Sequence, residues 1–280
     1  MGYVMNNPGK LIYGVDFYVN EIDDSQCHFW LQYENEENRL IVDKFGEIDL
    51  GLPKETHKLT ENTSGINAFY GRSEYGNRTI QLQTFWAKED DAGVISRRRN
   101  FLIDFFTGKN AKLYFYMYIP QKMRRYKVEV KPSITGEKYS NLVITDNIAI
   151  TLTCASVFFE SEDFVSTAIE IKDNKEKSFT VINDGYETSF RLKIKAKEDF
   201  AEFMLANSAG GAFRIKNIVN WTAGSEIIVD TGDASISVDG VEQLIGLSDG
   251  TFFTLTQGEN RLYYQGGKAM IEILYREKMK

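Results

Sequence analysis

The sequence predicts a mainly β protein: an N-terminal antiparallel sheet domain carrying one helix (α+β), followed by a C-terminal β-sandwich or jelly roll. Three observations predict it. Between Arg78 and Lys131 the apolar residues alternate, then repeat at helical spacing, then alternate twice more. Beyond Phe164 the chain is a succession of short alternating runs with turn signals at even intervals. Between these textures lies Glu160-Ser161-Glu162-Asp163, acidic and without an apolar residue, which divides the chain into domains 1–160 and 161–280.

Taken in order, Leu11–Val19 and Phe29–Tyr33 read as strands, and Leu40–Leu50 as a weak strand pair turning near Gly46. From Gly51 to Asn77 the chain is polar and broken by Pro53, Gly65, Gly71 and Gly76. A connection of about 25 residues is long for a compact domain and reads as an arm. Its aromatics, Phe69, Tyr70 and Tyr75, sit near its end, as in a hairpin that reaches out and docks elsewhere. Arg78–Trp86 alternates, with Ile80, Leu82, Thr84 and Trp86 on one face. Asp90-Asp91 offers N-cap carboxylates, Val94, Phe101, Leu102, Phe105 and Phe106 repeat at helical spacing, and Gly108 is a stop. Lys112–Ile119 and Arg124–Lys131 complete a sheet with one helix laid on it. Tyr139–Phe159 predicts a hairpin turning near Asp146-Asn147.

The second domain reads as strands Ala168–Ile171, Lys177–Ile182, Thr188–Ala196, Phe200–Leu205, Ala212–Ile218, Ser225–Asp230, Ser235–Val238, Thr251–Leu255, Glu259–Tyr264 and Ala269–Tyr275. Asn183-Asp184-Gly185, Ala209-Gly210-Gly211, Asp239-Gly240 and Gly266-Gly267 supply turns between them.

No apolar run approaches the roughly 18–20 residues of a membrane span, so membrane insertion is not expected. A net charge of −7 argues against wholesale nucleic-acid binding. The charge is uneven: Val94–Lys131 holds ten Lys/Arg against Asp104 and Glu129, whereas Glu34, Glu36, Glu37, Asp43, Glu47 and Asp49 crowd the preceding region. Separate basic and acidic segments suit head-to-tail contact between copies, or are simply solvated surface. Cys27 and Cys154 read as two buried free thiols in a reducing cytosol, with a disulfide as the alternative.

In Lys112–Ile119 the face opposite Leu113, Phe115, Met117 and Ile119 is Tyr114, Tyr116 and Tyr118. Aromatics with a polar tip are enriched where a surface is half covered. Either another part of the chain covers them, or they form a subunit interface together with the basic Arg97 and Arg98. Catalytic signals are thin. Ile228-Val229-Asp230-Thr231-Gly232 has the look of an aspartic-protease signature, but that chemistry needs two carboxylates and the chain offers one copy, which also fits a hairpin turn. His28 and His57, the only histidines, have no metal-ligand spacing, and no phosphate loop is present, so no catalytic, metal or cofactor residue is assigned. Trp221 reads as core, with sugar stacking as the alternative.

The order of the C-terminal motifs resembles the distal tail protein (Dit) family of long, non-contractile-tailed bacteriophages. The residues are Glu226-Ile-Ile-Val-Asp230-Thr231, Ser235-Ile-Ser-Val-Asp239-Gly240, Phe252-Phe253 with Leu255, Gly258, Asn260, Leu262, Tyr264 and Gly266, and the last strand Ile271-Glu-Ile-Leu-Tyr275-Arg276. Asn183-x-Gly185 is similar to that family's turn early in its second domain, and Cys154-Ala-Ser-Val-Phe158-Phe159 to the end of its first domain, both without the prolines often found there. The resemblance implies no catalytic residue and no cofactor. It implies a virion structural protein of a phage or prophage tail, made and assembled in the host cytoplasm. First domains would form a hexameric ring at the tip of the tail tube. Galectin-like second domains would dock receptor-binding, tail-associated or other baseplate proteins for host attachment. The competing class is a carbohydrate-binding or hydrolytic β-sandwich protein.

Limited proteolysis is expected to cut first at 160–163 or within 51–77; a first cut inside Thr79–Lys131 would contradict this division.

Overall fold

The computed structural model describes residues 18–19, 27–43, 47–52, 55–61, 68–83, 100–107, 109–135, 149–173, 177–243 and 247–280. Most of the predicted Leu11–Val19 strand, Thr84–Trp86, the Asp90-Asp91 cap, Val94, Gly108 and the turn at Asp146-Asn147 lie outside these residues. The chain is mainly β and divides into two compact units, Met1–Phe159 with Lys280, and Glu160–Met279.

Unit 1 contains β1 (Tyr18–Val19), β2 (Phe29–Tyr33), β3 (Arg39–Ile41), β4 (Glu47–Asp49), β5 (Glu55–Glu61), β6 (Ala68–Tyr75), β7 (Thr79–Gln83), β8 (Leu113–Ile119), β9 (Arg124–Thr135) and β10 (Ala149–Cys154). Eight of them form an antiparallel sheet in the order β1-β3-β2-β8-β9-β10-β7-β4. Alternation holds in β7, where Ile80 and Leu82 are buried between exposed Thr79 and Gln81. A helical segment at 100–106 buries Phe101, Leu102, Phe105 and Phe106, as the spacing predicts. Tyr33 of β2 meets it: its hydroxyl donates to the Phe105 carbonyl at 2.8 Å and the two rings lie 5.2 Å apart.

Leu40–Leu50 is not a strand pair. β3 sits against β2, with Leu40 opposite Leu31, whereas β4 pairs with β7, with Ile48 opposite Leu82. Each short apolar run finds a separate partner, which a local turn signal cannot reveal. β9 runs past the predicted Lys131 and carries Pro132 inside it. Proline has no N–H to donate. It sits beyond the end of the β8 pairing, which stops at Leu113 opposite Val130, and lies across from Leu152 of β10.

The arm is a separate two-stranded antiparallel sheet, β5 with β6, whose register shifts between His57 and Leu59. Its root is held by Arg78, which is 3 % exposed. The guanidinium donates to the carbonyls of Gly51 at 3.0 Å and Val157 at 3.2 Å and lies 4.8 Å from the Phe159 ring centroid. Gly51 has φ +59°, and a Cβ there would stand 2.0 Å from the Thr79 carbonyl oxygen, so only glycine fits. Both cysteines are buried free thiols, and burial pushes Cys154 up to about 11, so it stays protonated and inert at neutral pH.

The remaining strands are β11 (Phe159–Ser161), β12 (Val165–Ile171), β13 (Lys177–Asn183), β14 (Phe190–Ala196), β15 (Phe200–Asn207), β16 (Ala212–Trp221), β17 (Glu226–Asp230), β18 (Ser235–Val238), β19 (Val241–Glu242), β20 (Leu247–Gly250), β21 (Gly258–Gln265), β22 (Ala269–Tyr275) and β23 (Lys278–Met279). Unit 2 has a six-stranded sheet, β12-β22-β14-β17-β18-β19, and a five-stranded one, β13-β21-β15-β16-β20. Their inner residues, such as Leu192, Ile194, Ile271 and Ile273 from one sheet and Phe203, Phe213, Leu262 and Tyr264 from the other, make one core. Val238 faces Val241 across Asp239-Gly240, both at positive φ, the two-residue turn that such hairpins favour.

Thr251–Leu255 is not a strand; β20 precedes it, and only Leu255 forms an isolated bridge, with Thr188. Phe252 and Phe253 both pack on Phe213, at 5.0 and 5.6 Å between centroids. Consecutive residues of a strand point to opposite faces, so a segment that sends two neighbours to one core must leave the ladder.

The Asn183-x-Gly185 motif has a direct explanation. Asn183 is fully buried; its Nδ2 donates to the carbonyls of Tyr186 and Leu255, and its Oδ1 accepts the Gly185 amide. A Cβ at Gly185 would lie 2.4 Å from the Lys278 carbonyl oxygen. Asn183→Ala would leave these buried groups unpaired and is expected to cost about 2–4 kcal/mol. Asp184→Ala, on the exposed side of the same turn, is expected to stay within about 0.5 kcal/mol. Urea unfolding of both variants checks the contrast.

Candidate functional site

The registers of β2, β8 and β9 place the three tyrosines in rows: Gln32 with Tyr114 and Glu129, Trp30 with Tyr116 and Lys127, and Tyr118 with Arg125. Trp30 and Tyr116 stack, with centroids 5.1 Å apart and planes 6° from parallel. The Lys127 ammonium lies 5.0 Å from the Tyr114 centroid and 5.7 Å from that of Tyr116, and the Arg125 guanidinium lies 5.6 Å from Trp30. Cations over ring faces are attracted by the quadrupole, by about 0.5–2 kcal/mol each.

This geometry revises the expectation of a tyrosine face in water. Tyr116 is 7 % exposed and Trp30 1 %, so the centre of that face is covered within the chain. Tyr114 and Tyr118 remain half-buried. Burial, and after it the nearby Glu34, raises the Tyr114 pKa above its ordinary value, so its hydroxyl is a neutral donor and acceptor. Arg97 and Arg98 lie outside the described residues. The residues that sequence reasoning missed are Trp30, Arg125 and Lys127. Each sits at a regular position of its own strand, and only the register between strands brings it to the tyrosines.

Part of the charge segregation closes within the chain. Lys109, from the basic stretch, lies 2.7 Å from Glu36 of the acidic one and 4.3 Å from the Tyr33 ring centroid. Lys112 pairs with Glu129 at 3.2 Å. The β8–β9 tip carries Met123 at φ +48°, 83 % exposed, between Lys122 and Arg124.

Asp230 occupies a hairpin turn. Its Oδ1 accepts the amides of Gly232 and Asp233 at 2.9 and 3.2 Å, and its Oδ2 accepts Arg191 Nε at 2.6 Å. Burial pushes its pKa upward, but Arg191 and the two amides outweigh this and hold the carboxyl below its ordinary value. Thr231 Oγ1 accepts the Phe190 amide and donates to the Phe190 carbonyl, both at 2.9 Å. This carboxylate is engaged on one oxygen by its own turn and on the other by Arg191, unlike one that shares a proton with a second acid. Trp221 is 2 % exposed and packed against Phe200 and Phe203, which makes it core rather than a sugar platform. The Asp43 carboxylate accepts the backbone amides of His28 and Phe29, each at 2.5 Å. Among the described residues no three His, Cys, Asp or Glu side chains are grouped to hold a metal ion, and no helix is long and apolar enough to cross a membrane.

Residues 184–279 match the family described as "Siphovirus-type tail component, C-terminal domain". The motifs between Glu226 and Arg276 fall inside this match, so the resemblance drawn from them is borne out. No curated relative matches the chain. Among solved structures, the Dit protein of phage SPP1, described as a paradigm of the hub adsorption apparatus in phages infecting Gram-positive hosts, aligns with a TM-score of 0.63. It is 11 % identical, over 90 % of this chain and 99 % of that one, a likeness of fold. A chain of the phage p2 baseplate in its activated conformation with Sr aligns at a TM-score of 0.41 and 12 % identity, over 90 % of this chain and 98 % of that one. The corresponding Ca structure gives 0.40 and 12 %, over 88 % and 97 %.

Tyr116→Glu would bury a carboxylate against Trp30 and is expected to cost several kcal/mol and unfold unit 1. Tyr118→Glu, half-buried beside Arg125, is expected to leave the circular dichroism spectrum and melting curve close to wild type.

Proposed function

We propose that the chain is a structural hub protein of a phage or prophage tail, without enzymatic activity. In this reading unit 1 closes a hexameric ring at the tail tip beside the tube. Unit 2, as a galectin-like sandwich, docks receptor-binding or other baseplate proteins. The protein would be assembled in the host cytoplasm and reside in the virion tail. The observation that carries the proposal is the fold likeness to the SPP1 Dit protein over nearly the whole of both chains, together with the tail-component match across unit 2.

Contact between copies would use Tyr114 and Tyr118, which unit 1 leaves half covered, with the β8–β9 tip, the β5–β6 arm, and Arg97 and Arg98. Among the described residues, the end strands of the eight-strand order, β1 and β4, have two and three residues. Edges this short offer little backbone for pairing, so side-chain faces and the arm are the better candidates. A stable contact should bury at least about 1,000 Å². Rim charges then set orientation more than affinity.

Sedimentation of the full chain tests the proposal. A six-chain species is expected, and Tyr118→Glu should shift it toward smaller species while the fold persists. A wild-type chain that stays monomeric at high concentration would overturn self-closure of the ring. An unchanged oligomer for folded Tyr118→Glu would remove that face from the contact.

A further inference from the structure

Two motifs of the sequence meet in unit 2: the Asp230-Thr231-Gly232-Asp233 turn and the Tyr275-Arg276 end of β22. With Glu160, Phe164, Ser189 and Lys278 they line a cleft of about 180 Å³. At its centre the Phe164 ring, 40 % exposed, carries two guanidiniums: Arg276 lies 4.4 Å and Arg191 5.3 Å from its centroid. Arg191 is held by Nε on Asp230. Arg276 is held by Nη1 on the carbonyls of Ser161 and Glu162. Among the described residues neither Nη2 has an acceptor, and the Ser189 hydroxyl has no partner.

The charges are unequally satisfied. Asp230 is engaged by Arg191, and Lys278 lies 3.8 Å from Glu160. Arg276 has no carboxylate within ion-pair distance among the described residues. The two guanidinium carbons lie less than about 10 Å apart, since both sit over one ring. Like charges at that range repel, and an anion accepted by both removes the repulsion. Planar forks whose orientation is already fixed lose little freedom on receiving a carboxylate.

We propose that this cleft binds a carboxylate, received between Arg191 and Arg276 with the Ser189 hydroxyl as a further donor. The volume is below the roughly 300 Å³ at which small-molecule sites begin, so it suits one acid side chain or a small free acid rather than an oligosaccharide. Asp233, exposed at the rim, opposes an incoming carboxylate and supplies a variant of opposite sign.

Calorimetric titration of the full chain at low salt, with a capped hexaglutamate peptide, glutarate, a capped hexaglutamine peptide and maltohexaose, tests the site. An acid should bind while hexaglutamine and maltohexaose do not. Tighter binding of hexaglutamate assigns the carboxylate to a protein segment, and tighter binding of glutarate to a free acid. The net charge of −7 opposes diffuse attraction of either acid, so binding reports a local site. Arg276→Gln should weaken it about tenfold or more, equivalent to about 1.4 kcal/mol or more. Asp233→Asn, which keeps its backbone amide bond to Asp230, should tighten it about two- to threefold by removing one nearby like charge. Failure of both acids to bind, binding of maltohexaose in their place, or equal binding by wild type and Arg276→Gln would overturn the proposal. If Arg276→Gln does not fold, because Arg276 also tethers 161–162, Asp233→Asn decides: an unchanged affinity overturns it.

Discussion

The middle of the N-terminal sheet is covered on both faces, and much of unit 1 follows from that constraint. β2, β8 and β9 place Leu31, Phe115 and Val128 on one side and Trp30, Tyr116 and Lys127 on the other. Large rings packed from both sides contribute about 1.5–3 kcal/mol each. A buried polar tip is costly unless it is hydrogen-bonded, and while the indole N–H of Trp30 has no partner among the described residues, its neighbours are better provided for. Tyr33 gives its hydroxyl to the helix at Phe105, Lys109 rests on Tyr33 while pairing with Glu36, and Lys127 spans two tyrosines. The rings set the arrangement, and the cations fit themselves to it.

Charge has a smaller part in holding the fold. On unit 2, Lys193 pairs with Glu226 at 2.8 Å and Lys197 pairs with Glu170, but these groups are largely solvated. Exposed pairs contribute about 0–1 kcal/mol each, less than one buried isoleucine. Pairs closed inside one chain also leave fewer charges to meet a neighbouring copy, which weakens any argument for assembly made from charge counts alone.

The sandwich was the most legible part of the chain. Ser235–Val238 and Ala269–Tyr275 coincide with the observed strands because one face is core and the other water, so alternation is written residue by residue. Legibility failed where the deciding contact was distant. Phe252-Phe253 looks like strand until Phe213 draws both rings to one side. Leu40 and Ile48 look like partners until each is seen against another strand. The tyrosine row was readable as a row, but its covering by Trp30 depends on register between strands that no local pattern records. Neither guanidinium of the unit 2 cleft was legible, since Arg191 and Arg276 are neighbours only through the pairing of β14 with β22.

The clamped root of the β5–β6 arm has a mechanical consequence. Arg78, directly ahead of β7, ties the chain after β6 to Gly51, ahead of β5, and to Val157. A ribbon fixed in this way behaves as a cantilever: a push on its far end bends the strands and delivers a moment to the root instead of swinging about a joint. The weakest section of such a beam among the described residues is the irregular rung between His57 and Leu59. Deformation therefore concentrates at that rung, while the guanidinium carries the reaction at the base.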